Sequence, residues 1–505
     1  MVIVGCIAAV RFLLLLVTAG RYGFFGDEMY YLACAEHLDW GYVDQPPVWP
    51  FAAWLVRHSL GESLIAIRFL PALCGAAKVI LTGIIAQELG ARRFGMALAA
   101  LATACAMIYW PLDHLFTMNT IEPLYWMGCV LVVVRIVKTG NQRLWLWFGV
   151  LAGIGMETKY SMAFFAFGVV GSLLLTPQRK AFAGKWFWIG CAVALAIWMP
   201  NIMWNVQHHW PFLELMQNIR MSGRDNRLTP AAFVFQQIMV MGPATFPVWM
   251  AGTLYLFFAR GAKPFRVLGW SFLITFCVLL MLKGKDYYVA PVYGIVFAAG
   301  GLAFEKTLQH RRIRWAGPAI AVIMLAELLI YLPYAIPILS PKAFLKYERI
   351  VPLGAAVSEK NHAAGAMPHY YTWEFGWEEM VSAVARTYYS LPTEERVRTA
   401  ILAEHFGDAG AVDLLGKKYG LPKVICGHQN YWLWGPHGYT GDTVIIIGST
   451  TEGERKNFEQ VEIGATFDNP YGYPWEQRPI LICRHLKLGA RGDLPQIWSR
   501  VKHWD

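Results

Sequence analysis

Residues 26–47 read GDEMYYLACAEHLDWGYVDQPP. An acidic pair, Asp27-Glu28, follows directly on the first apolar stretch of the chain, and two prolines close the segment. The pattern predicts a short aromatic helix over 28–39, a turn at Asp44-Gln45-Pro46-Pro47, and a second helix over 48–59. Such helices lie along a bilayer surface rather than through it. Asp27 fits the N-cap of the first, with Glu28 in its first turn. The same Asp27 carboxylate, fixed near the membrane plane, also suits a general base for an incoming hydroxyl or amine. The proline turn brings Asp44 back toward it.

The surrounding chain supports a membrane setting. Of its 505 residues 56% are hydrophobic and only 15% charged, against about 25% charged in an ordinary soluble protein. Apolar runs of spanning length recur from residue 2 to about residue 335. Beyond that the polarity is ordinary, which divides the chain into a membrane domain at 1–340 and a C-terminal domain at 341–505. About eleven spans are expected, at 2–19, 63–86, 94–110, 119–137, 144–157, 159–175, 186–204, 230–259, 267–282, 287–304 and 315–336. The long run at 230–259 holds Gly242-Pro243 and is expected to be broken or tilted.

The net charge of +10 is spread in small clusters between spans, which speaks against nucleic acid and for a topology signal. Arg92-Arg93, then Arg135, Lys138 and Arg143, then Arg179, Lys180 and Lys185 occupy every second connection. Arg260, Lys263 and Arg266, and finally Lys306, Arg311, Arg312 and Arg314, continue the alternation. These connections are expected in the cytoplasm, which places segment 26–47 and the C-terminal domain outside. The nine cysteines have no C-x-x-C or zinc spacing; Cys426 and Cys483 could pair in an oxidising compartment.

On the expected outer face the polar residues gather. Asp113-His114 and Glu122 adjoin span ends, where a carboxylate is costly unless solvated or paired, so a functional cavity is expected. Trp204, with Pro200-Asn201 and Asn205, suggests a polar and aromatic rim. Lys159, Lys283 and Lys285 are exceptions to the positive-inside pattern, and a lipid phosphate is the natural partner for them. Their plainer reading is interfacial anchoring beside tyrosines.

Taken in order, Gly26-Asp27-Glu28 with Tyr30-Tyr31, Gly41–Gln45 with Pro46-Pro47, and Asn119-Thr120-Ile121-Glu122-Pro123 form a familiar set. Lys159-Tyr160-Ser161, Pro200-Asn201 with Trp204-Asn205, and Lys285-Asp286-Tyr287-Tyr288 with Pro291 complete it. The chain resembles the lipid-carrier-dependent GT-C glycosyltransferases, in the bacterial branch related to protein O-mannosyltransferases and the aminoarabinose transferase of lipid A. At Glu122 that family often has Asp.

The resemblance implies a polytopic α-helical GT-C bundle with interfacial helices in the first outer loop, plus a C-terminal α/β extracytoplasmic domain. It implies an inverting enzyme of the bacterial inner membrane that takes a sugar from polyprenyl phosphate to a glycolipid, glycan or protein acceptor in the cell envelope. Asp27 and Glu28 would be catalytic. Lys159, Lys283, Lys285 and Tyr288 would hold the donor phosphate. Asp44, Asp113, His114, Glu122 and Trp204 would line the acceptor side or the cavity. No cofactor is required by the resemblance, though some relatives bind a divalent metal. Chemistry agrees with the donor class: nucleotide sugars stay in the cytoplasm, and no Walker or G-x-G-x-x-G motif is present. The alternative is a transporter or flippase of a lipid-linked glycan, which predicts internal repeats around a midplane site; no repeat is evident.

In the C-terminal domain a helix is expected at 374–390 and another at 408–419. Strands are expected at 397–403, 424–425, 444–448 and 480–483. Gly407–Gly410 could bind an anion at a helix start. Tyr431–Pro436 suits a packed aromatic core or a sugar-stacking face.

Overall fold

The computed structural model describes residues 1–222, 228–308, 315–353, 366–474, 476–487, 494 and 498–504. Helix α1 (Val2–Thr18) leads into two short helices, α2 (Gly26–Glu36) and α3 (Val48–Leu60). Then follow α4 (Leu64–Glu88), α5 (Arg93–Cys105), α6 (Tyr109–His114), α7 (Glu122–Thr139), α8 (Trp145–Met156) and α9 (Met162–Leu174). The bundle continues with α10 (Lys185–Gln207), α11 (Pro211–Ser222), α12 (Pro230–Met241), α13 (Phe246–Phe258), α14 (Arg266–Met281), α15 (Tyr293–Thr307) and α16 (Ala316–Ala335). Each expected span therefore has a helix. Among the described residues, five helices are long and apolar enough to cross a membrane alone, or up to seven if each bent pair is one span. Gly242-Pro243 does break its run: α12 and the helical segment after it meet at 93°. Helix α11 lies between the expected spans at 186–204 and 230–259.

Small residues set the helix spacing, as lipid offers no hydrophobic drive for helices to associate. At Gly252 and Gly300 a Cβ would lie 1.9 and 2.0 Å from the carbonyls of Val296 and Val248. Only glycine lets α13 and α15 approach that closely. At one end of the bundle the basic connections meet acidic helix ends. Glu88 accepts from Arg135 and Lys138, while Glu305 accepts from the main chain of Arg92 and Gly95. Arg311, Arg312 and Arg314 lie outside the described residues.

The C-terminal domain is a five-stranded sheet in the order β2-β1-β3-β5-β4, with β1 at Ala400–Ala403, β2 at Val424–Cys426, β3 at Thr443–Ile447, β4 at Phe458–Ala465 and β5 at Ile480–Leu486. β1, β2 and β3 are parallel, and β5 and β4 are antiparallel. The strand β4 was not expected. Its burial is confined largely to Phe458, because it is an edge strand with a mostly polar surface. Cys426 and Cys483 are both buried free thiols. They stand three strand spacings apart across the sheet, about 14 Å, which a disulfide cannot bridge.

This domain is seated on the first loop. The helix Phe406–Leu415 packs on α2, and a Cβ at Gly410 would lie 2.9 Å from the Met29 main chain. Gly407–Gly410 thus serves a close helix–helix contact and not an anion. Tyr431 is buried and donates to Asp413 at 2.9 Å, so its aromatic run is chiefly core.

Candidate active site

Helix α2 starts two residues earlier than expected. Phe25 is the N-cap, and the N3 residue Glu28 accepts from its main-chain N–H at 2.9 Å. Asp27 is therefore not the cap but a first-turn residue, partly exposed, while Glu28 is wholly buried.

Glu28 is committed to structure. Arg68 Nε donates to its Oε1 at 2.9 Å and Arg68 Nη2 to its Oε2 at 2.8 Å. The Phe116 N–H adds a fourth bond at 2.7 Å to Oε1. A carboxylate offers about four lone-pair sites, so none is left for chemistry. Arg68 also donates to Glu374 Oε2 at 3.0 Å, to the carbonyls of Ala19 and Gly23, and meets His114 Nε2 at 3.0 Å. One buried arginine thus joins α1, α2, α4, α6 and the C-terminal domain.

Asp113 and His114 are likewise withdrawn from the cavity role. Asp113 accepts from Arg11 at 2.9 Å, from Lys78, and from Thr120 at 2.8 Å, all buried. Arg11 and Lys78 lie over the rings of Trp110 and Tyr109. The Asp113 carboxylate has two cations of its own and faces no open space. The sequence signal was available: a lone cation within an apolar run, as Arg11, Arg68 and Lys78 each are, demands a buried partner.

A second group stays open to chemistry. Asp44 accepts from the Tyr30 hydroxyl at 2.8 Å, and burial raises its carboxyl to about 6. One residue further along α2, the Tyr31 hydroxyl is held well above its ordinary range by burial, then by Asp27 and Asp44, with Cys34 and Tyr288 also acting on it. Tyr31 is where the carboxylates of the first loop and the tyrosine of the distant 283–288 segment come together. Lys159 Nζ lies 4.5 Å from the centroid of the Tyr288 ring. It also donates to Asn119 Oδ1 at 2.6 Å and Glu122 Oε2 at 3.0 Å. Ser161 donates to the other Glu122 oxygen. Glu122 is therefore the anchor that fixes Lys159, and not a lining residue of its own. Lys283 and Lys285 are exposed at the mouth, Lys283 with a left-handed φ of 54° and Lys285 5.8 Å from the Tyr287 ring centroid.

Trp204 closes one side. Its Nε1 donates to Asp39 Oδ2 at 2.7 Å, its ring stacks on His208 at 4.1 Å, and a Cβ on Gly41 would lie 2.4 Å from it. The C-terminal domain holds the loop from the other side: Asn430 Oδ1 accepts from the Val43 N–H at 2.7 Å. Among the described residues no group of three or more His, Cys, Asp or Glu is arranged to hold a metal ion.

Residues 44–204 match the family described as dolichyl-phosphate-mannose-protein mannosyltransferase. That span runs from Asp44 to Trp204 and includes Glu122 and Lys159. The lipid A galacturonosyltransferase RgtD of Rhizobium johnstonii is 26% identical over 265 residues, 49% of this chain and 52% of that one. The match thus spans about half the length of this curated relative. Over nearly the whole chain the fold is that of ArnT from Cupriavidus metallidurans solved with undecaprenyl phosphate, at TM-score 0.61 and 14% identity, covering 94% of this chain and 97% of that one. The chain has the GT-C fold. Among structures of the GT-C fold, the oligosaccharyltransferase AglB of Archaeoglobus fulgidus, solved with an inhibitory peptide and a dolichol-phosphate, is also similar. It gives TM-score 0.52 at 11% identity, over 90% of this chain and 69% of that one. As a GT-C protein the chain is an integral membrane protein, with its charged helix-end networks and apolar bundle accounted for together.

Proposed function

We propose that the protein moves a sugar from a polyprenyl-phosphate donor to an acceptor at the extracytoplasmic face of the bacterial inner membrane, with inversion at the anomeric carbon. The reading is carried by the fold shared with ArnT over nearly the whole chain, together with Lys159, which Asn119 and Glu122 hold 4.5 Å from the Tyr288 ring centroid. Of the five carboxylates the sequence nominated, Glu28, Asp113 and Glu122 are neutralised by Arg68, Arg11 with Lys78, and Lys159. Asp27, partly exposed in the first turn of α2, and Asp44, bonded to the Tyr30 hydroxyl, are assigned to the reaction.

In this reading Asp27 takes the proton of the acceptor hydroxyl or amine as that atom bonds to the anomeric carbon. Asp44, ionised, accepts a hydrogen bond from the acceptor and orients it. The bond to the lipid phosphate breaks with its electrons going to the phosphate oxygen. Negative charge grows there, so Lys159, Lys285 and Lys283 with the Tyr288 hydroxyl stabilise the transition state more than the ground state. Every step uses side chains of this chain. The ligand of ArnT supports a polyprenyl phosphate carrier, and the lipid A substrate in the name of RgtD makes a glycolipid the first acceptor to try.

The test is a transfer assay with purified protein in lipid discs, radiolabelled polyprenyl-phosphate sugars and envelope glycolipid extract. Labelled acceptor is the expected product, with the opposite anomeric configuration to the donor. Retention of configuration, or movement of the donor across a sealed vesicle without transfer, would overturn it.

A further inference from the structure

Two polar side chains near this site are poorly satisfied inside the protein. Gln45 is fully buried, and among the described residues its amide atoms meet no well-formed hydrogen bond beyond a contact with the Cys34 thiol. Glu157 is 4% exposed, and among them its carboxylate oxygens meet no well-formed hydrogen bond beyond a contact with the Asn201 main chain. Both sit at one junction: the Glu157 carbonyl accepts from the Val48 N–H at 3.0 Å, tying the turn between α8 and α9 to the Asp44–Pro47 turn. A buried amide or carboxyl left poorly satisfied is destabilising by itself, so a fold that keeps two of them keeps them for a ligand.

The neighbours specify the ligand. The Tyr160 hydroxyl donates to Asn201 Oδ1 at 3.1 Å and accepts from Asn205 Nδ2 at 3.1 Å. Asn201 in turn holds the Trp40 carbonyl at 2.9 Å. The Tyr160 hydroxyl lies within electrostatic reach of the Asp44 carboxylate and of Glu157. A protonated carboxyl at Glu157 would both donate and accept a hydrogen bond. A carboxylic acid, two amides, a phenol and a tryptophan rim, without a cation acting on the acid, suit a hydroxylated ring.

We propose that Gln45, Glu157, Tyr160, Asn201 and Asn205 form the subsite for the sugar ring of the lipid-linked donor, with Glu157 and Gln45 hydrogen-bonding its hydroxyls. This rests on the proposed function. It separates the donor's two ends: Lys159 and Lys285 read the phosphate, and the Glu157 junction reads the sugar. A site whose buried polar groups are satisfied only by substrate hydroxyls rejects a ligand that lacks them.

The experiment measures binding to the purified full chain of two probes, undecaprenyl phosphate and undecaprenyl phosphate bearing a neutral hexose. The expected wild-type preference is for the sugar-bearing lipid. Glu157→Leu should weaken only that probe, by roughly 10- to 100-fold, and leave the bare lipid within about twofold, which also reports an intact fold. Gln45→Met, of similar volume, should act in the same direction. Glu157→Gln, neutral and still a donor and acceptor, should retain most of the affinity. Equal binding of the sugar-bearing probe by wild type, Glu157→Leu and Gln45→Met would overturn the subsite. Loss in Glu157→Gln as large as in Glu157→Leu would overturn the neutral hydrogen-bonding role. Failure of wild type to bind even bare undecaprenyl phosphate would instead overturn the proposed function itself.

Discussion

Two sets of buried polar groups, both touching the loop between α1 and α4, have opposite fates. Around Arg68, Arg11 and Lys78 every carboxylate has been given a cation: Glu28 and Glu374 share Arg68, and Asp113 takes Arg11 and Lys78. Around Asp44 and Glu157 the protein supplies hydroxyls or amides. The first set holds the bundle and the C-terminal domain together. The second is left electrically incomplete, and incompleteness at a buried site is what a substrate can relieve. Asp27 and Glu28 share a helical turn, yet Glu28 is buried on Arg68 while Asp27 is partly exposed.

The largest effects should come from that adjacent pair. Asp27→Asn keeps shape but cannot take a proton, so transfer should fall by about 10²-fold or more while the protein stays monodisperse and binds lipid phosphate. Glu28→Gln should do the reverse. It leaves Arg68 short of charge in a buried site, and breaking such a pair costs about 3–5 kcal/mol, read as a lower unfolding temperature. Near wild-type transfer by Asp27→Asn, or a fully stable Glu28→Gln with lost activity, would erase the distinction.

The sequence made one side of this comparison far more legible than the other. Span positions follow from apolar length and alternating basic clusters, because a bilayer imposes both. The family motifs brought Asp27, Asp44, Lys159 and Tyr288 into view. The pairing of Glu28 was hidden, for Arg68 is 40 positions away and Glu374 is 306 positions from Arg68. Nothing local in Trp373-Glu374-Phe375 marks that carboxylate as an inward one. Glu157 carries no signal in the sequence, since a poorly satisfied side chain is defined by its surroundings and not by its own letter. Strand β4 escaped because an edge strand need not show a buried face.

On the phosphate side the comparison sharpens differently. Lys159 is paired with Glu122. Lys159→Ala and Lys285→Ala should each weaken donor use by roughly 10- to 100-fold, the range of a charge-assisted contact of about 1.5–3 kcal/mol. Lys159→Ala should also lower thermal stability, because it strands Glu122. Unchanged donor kinetics in both would make these lysines interface anchors.

The pH dependence tests Asp44. Its carboxyl, raised by burial from 3.8 to about 6, is neutral below that value and ionised above it. If the ionised form orients the acceptor, kcat/KM should rise with pH through about 6. Stability should move the other way: a raised carboxyl contributes stability present below 3.8 and lost as pH rises through about 6. An acid limb that stays at the same pH in Asp44→Asn would assign it to another group.

The smallest effect isolates a single hydrogen bond. The Tyr30 hydroxyl donates to Asp44 Oδ1 at 2.8 Å, and this bond favours the ionised carboxylate and works against burial. Tyr30→Phe removes the oxygen and keeps the ring, which is packed on Phe406 and Tyr431. With the donor gone, burial acts unopposed by it, and the Asp44 carboxyl should titrate at higher pH. A hydrogen bond of about 1 kcal/mol corresponds to somewhat less than one pH unit, so the acid limb of kcat/KM should move upward by up to about one unit. The plateau at high pH should stay near wild type, because there Asp44 is ionised in both proteins. A lowered plateau with an unmoved limb would mean that Tyr30 acts on the reaction directly, and that the line between structural and chemical groups runs through the Tyr30–Asp44 bond itself.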